Sequence, residues 1–192
     1  MDILIISVIS YLIGSIPFGY ILTKIFLKKD IRKIGSGNIG ATNALRTGNK
    51  KIGYSTLFLD IAKAVAPVLY VKFYFPEFLY ITSICSFLGH VFPIWLRFKG
   101  GKGVATYIGI LFAINIYFGL VFTFTWLITF AFSKFSSLSS LIASLSVPAY
   151  LLILTQFDQV TFFLIMFVLI IFTHRENIKR LKNKEETKTK IY

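Results

Sequence analysis

Charge is scarce in this sequence. Asp, Glu, Lys and Arg make up 15% of its 192 residues, while 56% are hydrophobic and 17% aromatic. Soluble domains are typically about 25% charged, so this chain has too few polar residues to cover a water-facing surface. Cysteine is almost absent. The lone Cys85 lies in an apolar stretch, excludes a disulfide framework and reads as a small hydrophobe. Two histidines and one cysteine in separate segments make no zinc signature, so no metal site is expected. The apolar N-terminus lacks a basic n-region, since Met1-Asp2 precedes it directly, and lacks a small-residue cleavage site. It reads as a first membrane helix rather than a signal peptide.

Long apolar stretches are what the chain does have, at residues 3–23, 52–75, 78–96, 103–133, 135–155 and 159–173. A membrane helix takes about 17–25 residues. The 103–133 stretch would be about 46 Å long as one helix, so two helices turning near Asn115 are expected there. The resulting expectation is an all-α polytopic membrane protein forming one domain over 1–192. Its seven transmembrane helices would be 3–23, 52–75, 78–96, 103–114, 116–133, 135–155 and 159–173, followed by a cytoplasmic tail, 174–192. Two of them are short: 103–114 and 160–173 would span only about 18 and 21 Å.

The basic residues orient this arrangement. With the N-terminus outside, segments 24–51, 97–102, around 134, and 174–192 face the cytoplasm and hold eight, three, one and seven Lys or Arg residues. Only Lys72, in an outside loop, and Lys63, inside a helix, are left over from the 21. Six helices would put Lys134 and the basic tail outside. The net charge of +13 is therefore a topology signal, and no nucleic-acid partner is expected. The outer loops are plain, so the chemistry gathers on the inner face.

Three inner segments carry it. In Gly35-Ser36-Gly37-Asn38-Ile39-Gly40-Ala41-Thr42-Asn43-Ala44-Leu45-Arg46, glycines let backbone N–H groups turn onto an anion. Ser36, Asn38, Thr42 and Asn43 add hydrogen bonds, and Arg46 can grip phosphate bidentately. Gly35, Gly37 and Gly40 match G-x-G-x-x-G, but a dinucleotide fingerprint needs a preceding strand, and here a membrane helix precedes it. A flexible loop is the plain alternative. In Arg97-Phe98-Lys99-Gly100-Gly101-Lys102-Gly103-Val104, glycines and cations stand where a short helix begins, and a helix start is a phosphate site. It is no Walker A loop, because Gly103 follows Lys102; a tight positive-inside turn is the alternative. In His174-Arg175-Glu176-Asn177, His174 and Asn177 lie three apart and share a helix face. His174 could act as acid, base or phosphate partner, or the segment is simply a solvated basic helix end.

Asp60 and Lys63 stand inside the second helix, where ionisable residues are functional candidates or a buried structural pair. Ser136, Ser137, Ser139 and Ser140 at an inner helix start suit capping and packing as well as catalysis. His90 reads as a satisfied core histidine. Together, two glycine-and-cation loops and a His/Asn helix end describe a site for phosphate-bearing substrates at the membrane surface. A small transporter for organic phosphates is the competing class, though the sequence carries neither internal repeats nor a polar stripe across the membrane.

The first loop, the run from Gly89-His90-Val91-Phe92-Pro93 to Thr106, and His174-Arg175-Glu176-Asn177-Ile178 resemble the motifs of bacterial acyl-phosphate-dependent glycerol-3-phosphate acyltransferases. Ile13-Gly14-Ser15-Ile16-Pro17 and Asp60-Ile61-Ala62-Lys63 are similar too, and the resemblance covers nearly the whole chain. It implies transfer of a fatty acyl group from acyl phosphate to the 1-hydroxyl of glycerol 3-phosphate. The products would be lysophosphatidic acid and phosphate, formed without cofactor or metal by a monomer of the bacterial inner membrane. The His-x-x-x-x-Asp dyad of the soluble enzymes is missing, since Trp95 and Lys179 stand five residues after the histidines. The expected catalytic residues are Ser36, Asn38, His174 and Asn177. Gly37, Gly40, Thr42, Asn43, Arg46, Gly100, Gly101, Lys102, Gly103 and, more weakly, Ser139 are expected to bind substrate phosphates.

Overall fold

The computed structural model describes residues 2–189, and these are helical with no strand among them. They form two compact units, the first ending at Ile114 and the second beginning at Asn115.

The first unit contains α1 (Ile3–Gly14), α2 (Phe18–Leu27), α3 (Ala41–Leu45), α4 (Lys50–Tyr74), α5 (Leu79–Val91) and α6 (Val104–Ile114). The single helix expected over 3–23 is instead broken at Ser15–Pro17. Proline has no N–H to give and disfavours helical geometry in the residue before it. The Ser15 hydroxyl and amide both donate to the Tyr11 carbonyl, each at 2.8 Å, which closes α1. The second half then runs on past Lys24 to Leu27 and ends where Lys28 turns left-handed, at φ 56°. Helix α4 starts where the Asn49 side chain accepts from the Ile52 amide, 3.2 Å away. The stretch expected over 78–96 ends as a helix at Val91, and a 3₁₀ turn, Ile94–Leu96, follows Pro93.

Close backbone approach holds this unit together. Gly14 of α1 lies against the Ser86 backbone of α5, and Gly89 of α5 lies against the Tyr11 carbonyl of α1. A side chain at either position would push the helices apart. The Tyr11 hydroxyl donates to the Phe92 carbonyl at 2.6 Å, fixing the end of α5. Lys72 belongs to the last turn of α4 rather than to a loop. Its ammonium donates to the carbonyls of Ala113 (3.1 Å) and Ile114 (2.9 Å), orphan acceptors at the end of α6.

The second unit contains α7 (Ile116–Ser133), α8 (Ser136–Ile153), α9 (Phe157–Thr173) and α10 (Arg175–Lys182). The turn expected near Asn115 is present: its side chain caps α7 by accepting from the Tyr117 amide at 2.9 Å. Trp126 stacks on Phe130, with ring centres 4.9 Å apart, and donates from Nε1 to the Ser140 hydroxyl of α8 at 3.1 Å. Phe118 of α7 meets Phe163 of α9 edge to face at 5.2 Å. The segment expected as a plain tail begins with α10, bent by 64° from α9 at His174.

Among the described residues, five helical segments are long and apolar enough to cross a membrane: Ile3–Leu27, Lys50–Tyr74, Pro76–Leu96, Ile116–Ser133 and Ser136–Ile153. The bent pair α9 and α10 makes a sixth. Helix α6, with 11 residues, is only about 16 Å long and does not reach that length, so the expected seven crossings are not all of full span. Both units turn large apolar side chains outward, among them Phe58, Phe73, Phe132 and Ile153. Such surface is unfavourable in water and at home in hydrocarbon.

Candidate functional site

The first loop is built around one amide. Asn43, 2% exposed, donates from Nδ2 to the carbonyls of Ile31 (3.1 Å), Ile34 (2.9 Å) and Asn38 (2.7 Å). Its Oδ1 accepts from the Ser36 amide at 3.0 Å. The side chain is thus engaged on all sides by its own loop, which fits a scaffold better than the direct phosphate ligand expected. Gly35 has a left-handed φ of +53°, and a Cβ there would collide with Asn43 Oδ1 and the Arg46 side chain. Asn38 Oδ1 accepts from the Gly40 amide at 2.9 Å, closing a second small turn. Ser36 and Arg46 are exposed, and Asn38 and Thr42 are half-buried. Beneath them Ile31, Ile39, Ala44, Ile52 and Leu96 form an apolar floor. The loop is therefore a rigid polar surface with a cation at its edge, not a flexible linker.

Asp30 leads into this loop. Its carboxylate accepts from Arg32 Nε at 3.0 Å and from an Arg32 terminal nitrogen at 2.7 Å, while the guanidinium lies 4.9 Å from the centre of the Tyr20 ring. The Arg32 hydrogen bonds hold the Asp30 carboxyl down at about 2.

The second loop sits on the end of α5. The Gly100 and Gly101 amides donate to the carbonyls of Val91 and His90, each at 3.1 Å. Those two amides are therefore turned onto α5 and not onto an anion, contrary to the simplest reading of the glycines. Lys102 leads from these glycines into the start of α6, whose first amides have no partner within the helix. Gly103, at φ +82°, faces the Phe87 ring so closely that no Cβ fits. Arg97 and Phe98, at φ 53° and 60°, are consecutive left-handed residues other than glycine, a sparsely populated geometry that the surrounding fold must hold in place. Below this loop, Lys63 Nζ lies 2.8 Å from Asp60 Oδ1, and both side chains are 2% exposed. His90 Nδ1 stands 3.7 Å from the same oxygen.

In the second unit, His174 occupies the bend between α9 and α10 and is 2% exposed. Its Nδ1 lies 2.9 Å from the Ile170 carbonyl oxygen, which can only accept, so Nδ1 carries the proton. In the neutral ring that makes Nε2 the acceptor nitrogen. Asn177 donates to Glu186 Oε1 at 2.6 Å. The same carboxylate takes the Ser137 hydroxyl at 2.7 Å and Arg180 Nε at 2.7 Å. Burial pushes the Glu186 carboxyl up, but these three donors outweigh it and hold it below the ordinary value. Glu186 and Ser137 were not among the expected site residues. Glu186 stands in a lysine-rich tail, and nothing local marks the partners it finds on α8 and α10. Ser139 is fully buried and donates to the Phe135 carbonyl of its own helix at 2.8 Å.

Among the described residues, no group of three or more His, Cys, Asp or Glu side chains could hold a metal ion.

Comparison with known proteins agrees in extent along the chain. Residues 4–184 match the sequence model of the family described as glycerol-3-phosphate acyltransferase. A glycerol-3-phosphate acyltransferase of Pelagibacter ubique is 71% identical over all of both chains. One from Brucella anthropi is 47% identical over 94% of this chain and 90% of its own. Among solved structures, the fold matches PlsY, an integral membrane glycerol 3-phosphate acyltransferase, in its glycerol 3-phosphate form. The TM-score is 0.92 at 37% identity, covering 97% of this chain and 94% of that one. The lysophosphatidic acid form of the same protein matches with a TM-score of 0.89.

Proposed function

Because this chain belongs to the glycerol-3-phosphate acyltransferase family, we propose that it transfers a fatty acyl group from acyl phosphate to the 1-hydroxyl of sn-glycerol 3-phosphate. The hydroxyl oxygen attacks the acyl carbon, the bond from that carbon to the bridging phosphate oxygen breaks, and the hydroxyl proton leaves with the phosphate. Lysophosphatidic acid and inorganic phosphate result. The relatives' names supply the acceptor, and the lysophosphatidic acid form of the matched structure agrees with the product. Acyl phosphate as donor is our own reading. A mixed anhydride brings its own leaving group, so transfer from it needs mainly positioning and charge stabilisation.

The observation that carries the reading is the first loop, a buried amide hub that fixes a polar surface ending in Arg46. Ser36, Asn38, Thr42 and Arg46 would hold one phosphate and the attacking glycerol, with Gly35, Gly37, Gly40 and Asn43 shaping the loop. Lys102 and the start of α6 would hold the other phosphate, with Gly100, Gly101 and Gly103 shaping the turn. His174, held at Nδ1 by the Ile170 carbonyl, and Asn177 would orient the substrate hydroxyl or a phosphate. The departing phosphate can take the proton, so no protein base is required. The protein works as one monomeric acyltransferase domain in the bacterial inner membrane, with its N-terminus outside and its C-terminus and site cytoplasmic.

The test is to incubate the purified protein with acyl phosphate and labelled glycerol 3-phosphate. Lysophosphatidic acid should appear, and its absence would end the proposal. Product formed from acyl-coenzyme A but not from acyl phosphate would keep the acceptor and overturn the donor. For His174→Ala at saturating substrates, measurable turnover marks a positional role. A loss on the order of 10⁴-fold marks a general base.

A further inference from the structure

Asp60, Lys63 and His90 are buried ionisable groups to which the proposed chemistry gives no task. We propose that they form a buried charged strut that positions the Gly100–Gly103 loop, and so act as positioning residues for the phosphate group that this loop binds. The inference rests on reading that loop as a phosphate holder.

The strut runs through four parts of the first unit. At one end, Lys63 Nζ donates to the Ile16 carbonyl at 2.7 Å, inside the break between α1 and α2. The same ammonium pairs with Asp60 at 2.8 Å, one turn earlier on α4. His90 comes next, on the last turn of α5, 3.7 Å from Asp60 and 3% exposed. Its imidazole lies flush against Gly101, where a single added methyl would collide with Nε2. Its carbonyl accepts the Gly101 amide. Ring and backbone of one histidine thus set both the distance and the direction of the loop.

Stability is a poor reason for such a cluster. Charges within a membrane helix are costly, and a buried ion pair often adds nothing over apolar side chains of the same volume. What the cluster does is connect the α1–α2 break to the second glycine loop, through the Lys63–Asp60 ion pair and a close packing of His90 against Asp60 that is longer than a hydrogen bond. A loop that offers a cation and a helix start to phosphate gains from such a tie, because a misplacement of about 1 Å can cost on the order of 100-fold.

The test pairs Gly101→Ala, which drives a methyl into the imidazole, with His90→Ala, which removes the imidazole. Each single variant should raise KM for one of the two phosphate substrates about tenfold or more, with kcat within about threefold. The double variant should be no worse than His90→Ala alone, because the methyl then has room. His90→Gln, which keeps a polar side chain of similar reach, should recover part of the loss. Amide exchange supplies a readout apart from activity: in His90→Ala, peptides over 98–104 should lose protection while those over 79–89 keep theirs. Unchanged exchange in the loop overturns the strut, as do single effects that multiply in the double variant. Faster loop exchange with unchanged KM supports the strut and overturns the phosphate reading of the loop. Should His90→Ala fail to fold, the charge-free pair Asp60→Asn with Lys63→Met is read by the same two measurements.

Discussion

The segment from Ile31 to Arg46 and the segment from Arg97 to Gly103 share glycine, small residues and cations, yet they are held in different ways. The first is tied from within, by the four contacts of the Asn43 amide. The second is tied from below, by two backbone hydrogen bonds to the end of α5 and by the ring of His90. The last turns of the second unit repeat the first solution with a charge, since the Glu186 carboxylate gathers Ser137, Asn177 and Arg180. Glycine content alone says that a backbone can turn. Which side chain or helix end it turns around decides whether it is a surface or a hinge.

Removing the amide hub should give the largest effect. Asn43→Ala takes their side-chain partner from the Asn38 carbonyl and the Ser36 amide, and one of two donors from the Ile31 and Ile34 carbonyls, which keep the Ile34 and Gly37 amides. Buried groups left unpaired cost about 1–3 kcal/mol each, so kcat/KM should fall on the order of 100-fold, while the far helices keep their protection from exchange. Asn43→Asp is a sharper probe of the same hub. It keeps the acceptor but sets a carboxylate against the carbonyls of Ile31, Ile34 and Asn38, and should be nearly as damaging. A mild phenotype would mean that the loop is held by its apolar floor instead.

A smaller loss is expected from Gly35→Ala. Its positive φ and the contact with Asn43 Oδ1 make the methyl push directly on the hub. A non-glycine residue in this backbone region costs of order 1–3 kcal/mol, so about a tenfold fall in kcat/KM is expected. Gly48→Ala makes the control: it also has positive φ, at +84°, but nothing within 4 Å of an added Cβ. If both variants behave alike, backbone strain decides the outcome. If only Gly35→Ala fails, contact with the hub does.

Much of this organisation was legible in the sequence, and the exceptions have physical reasons. The helix over 116–133 is where the apolar run placed it, because Asn115 and Lys134 supply a side-chain cap and a left-handed stop. The first helix reads as continuous in hydropathy, which counts apolar side chains, whereas its break comes from Pro17 and a missing N–H. Its extension beyond Lys24 escaped for a related reason, since a lysine near a helix end can reach water along its apolar stem. The glycine loops were recognisable from composition, but not the direction of their amides, which depends on the end of α5. Asn43 was expected as a phosphate ligand, and its inward contacts follow only from the fold. Glu186 left no local trace, because its partners lie 49, 9 and 6 residues away in sequence.

The neutral hub and the charged one should separate in their response to pH. The Glu186 carboxyl lies below its ordinary value of 4.5 in the folded protein. Docking of the tail is then fully favoured above that ordinary value and weakens as pH falls through the depressed one. Protease cleavage after the tail lysines should accelerate below about pH 4.5 in the parent protein, as measured by an acid-active protease. In Glu186→Gln, cleavage should already be faster at neutral pH and show little further change. Exchange in the Asn43 loop should show no such acid step, because an amide does not titrate.

The smallest effect is expected where a strong-looking ion pair is most exposed. Asp30 and Arg32 meet at 2.7 Å with good two-point geometry, and the carboxyl is held at about 2. Yet the Arg32 side chain is 44% exposed, against 2% for both members of the Asp60–Lys63 pair. Water and salt screen the first pair and not the second, and exposed pairs contribute roughly 0.2–1 kcal/mol. Arg32→Lys, which keeps the charge but loses the two-point grip and the stacking on Tyr20, should therefore leave kcat/KM within about twofold. The change in stability, read by thermal unfolding in detergent, should stay below about 1 kcal/mol. Raising the salt concentration should shrink even that difference. The Asp60→Asn variant is the partner measurement, since it strands a buried ammonium and should lower the unfolding midpoint at any salt concentration. An Arg32 variant as damaging as the Asp60 one would show that the entry to the first loop bears on substrate through the guanidinium itself.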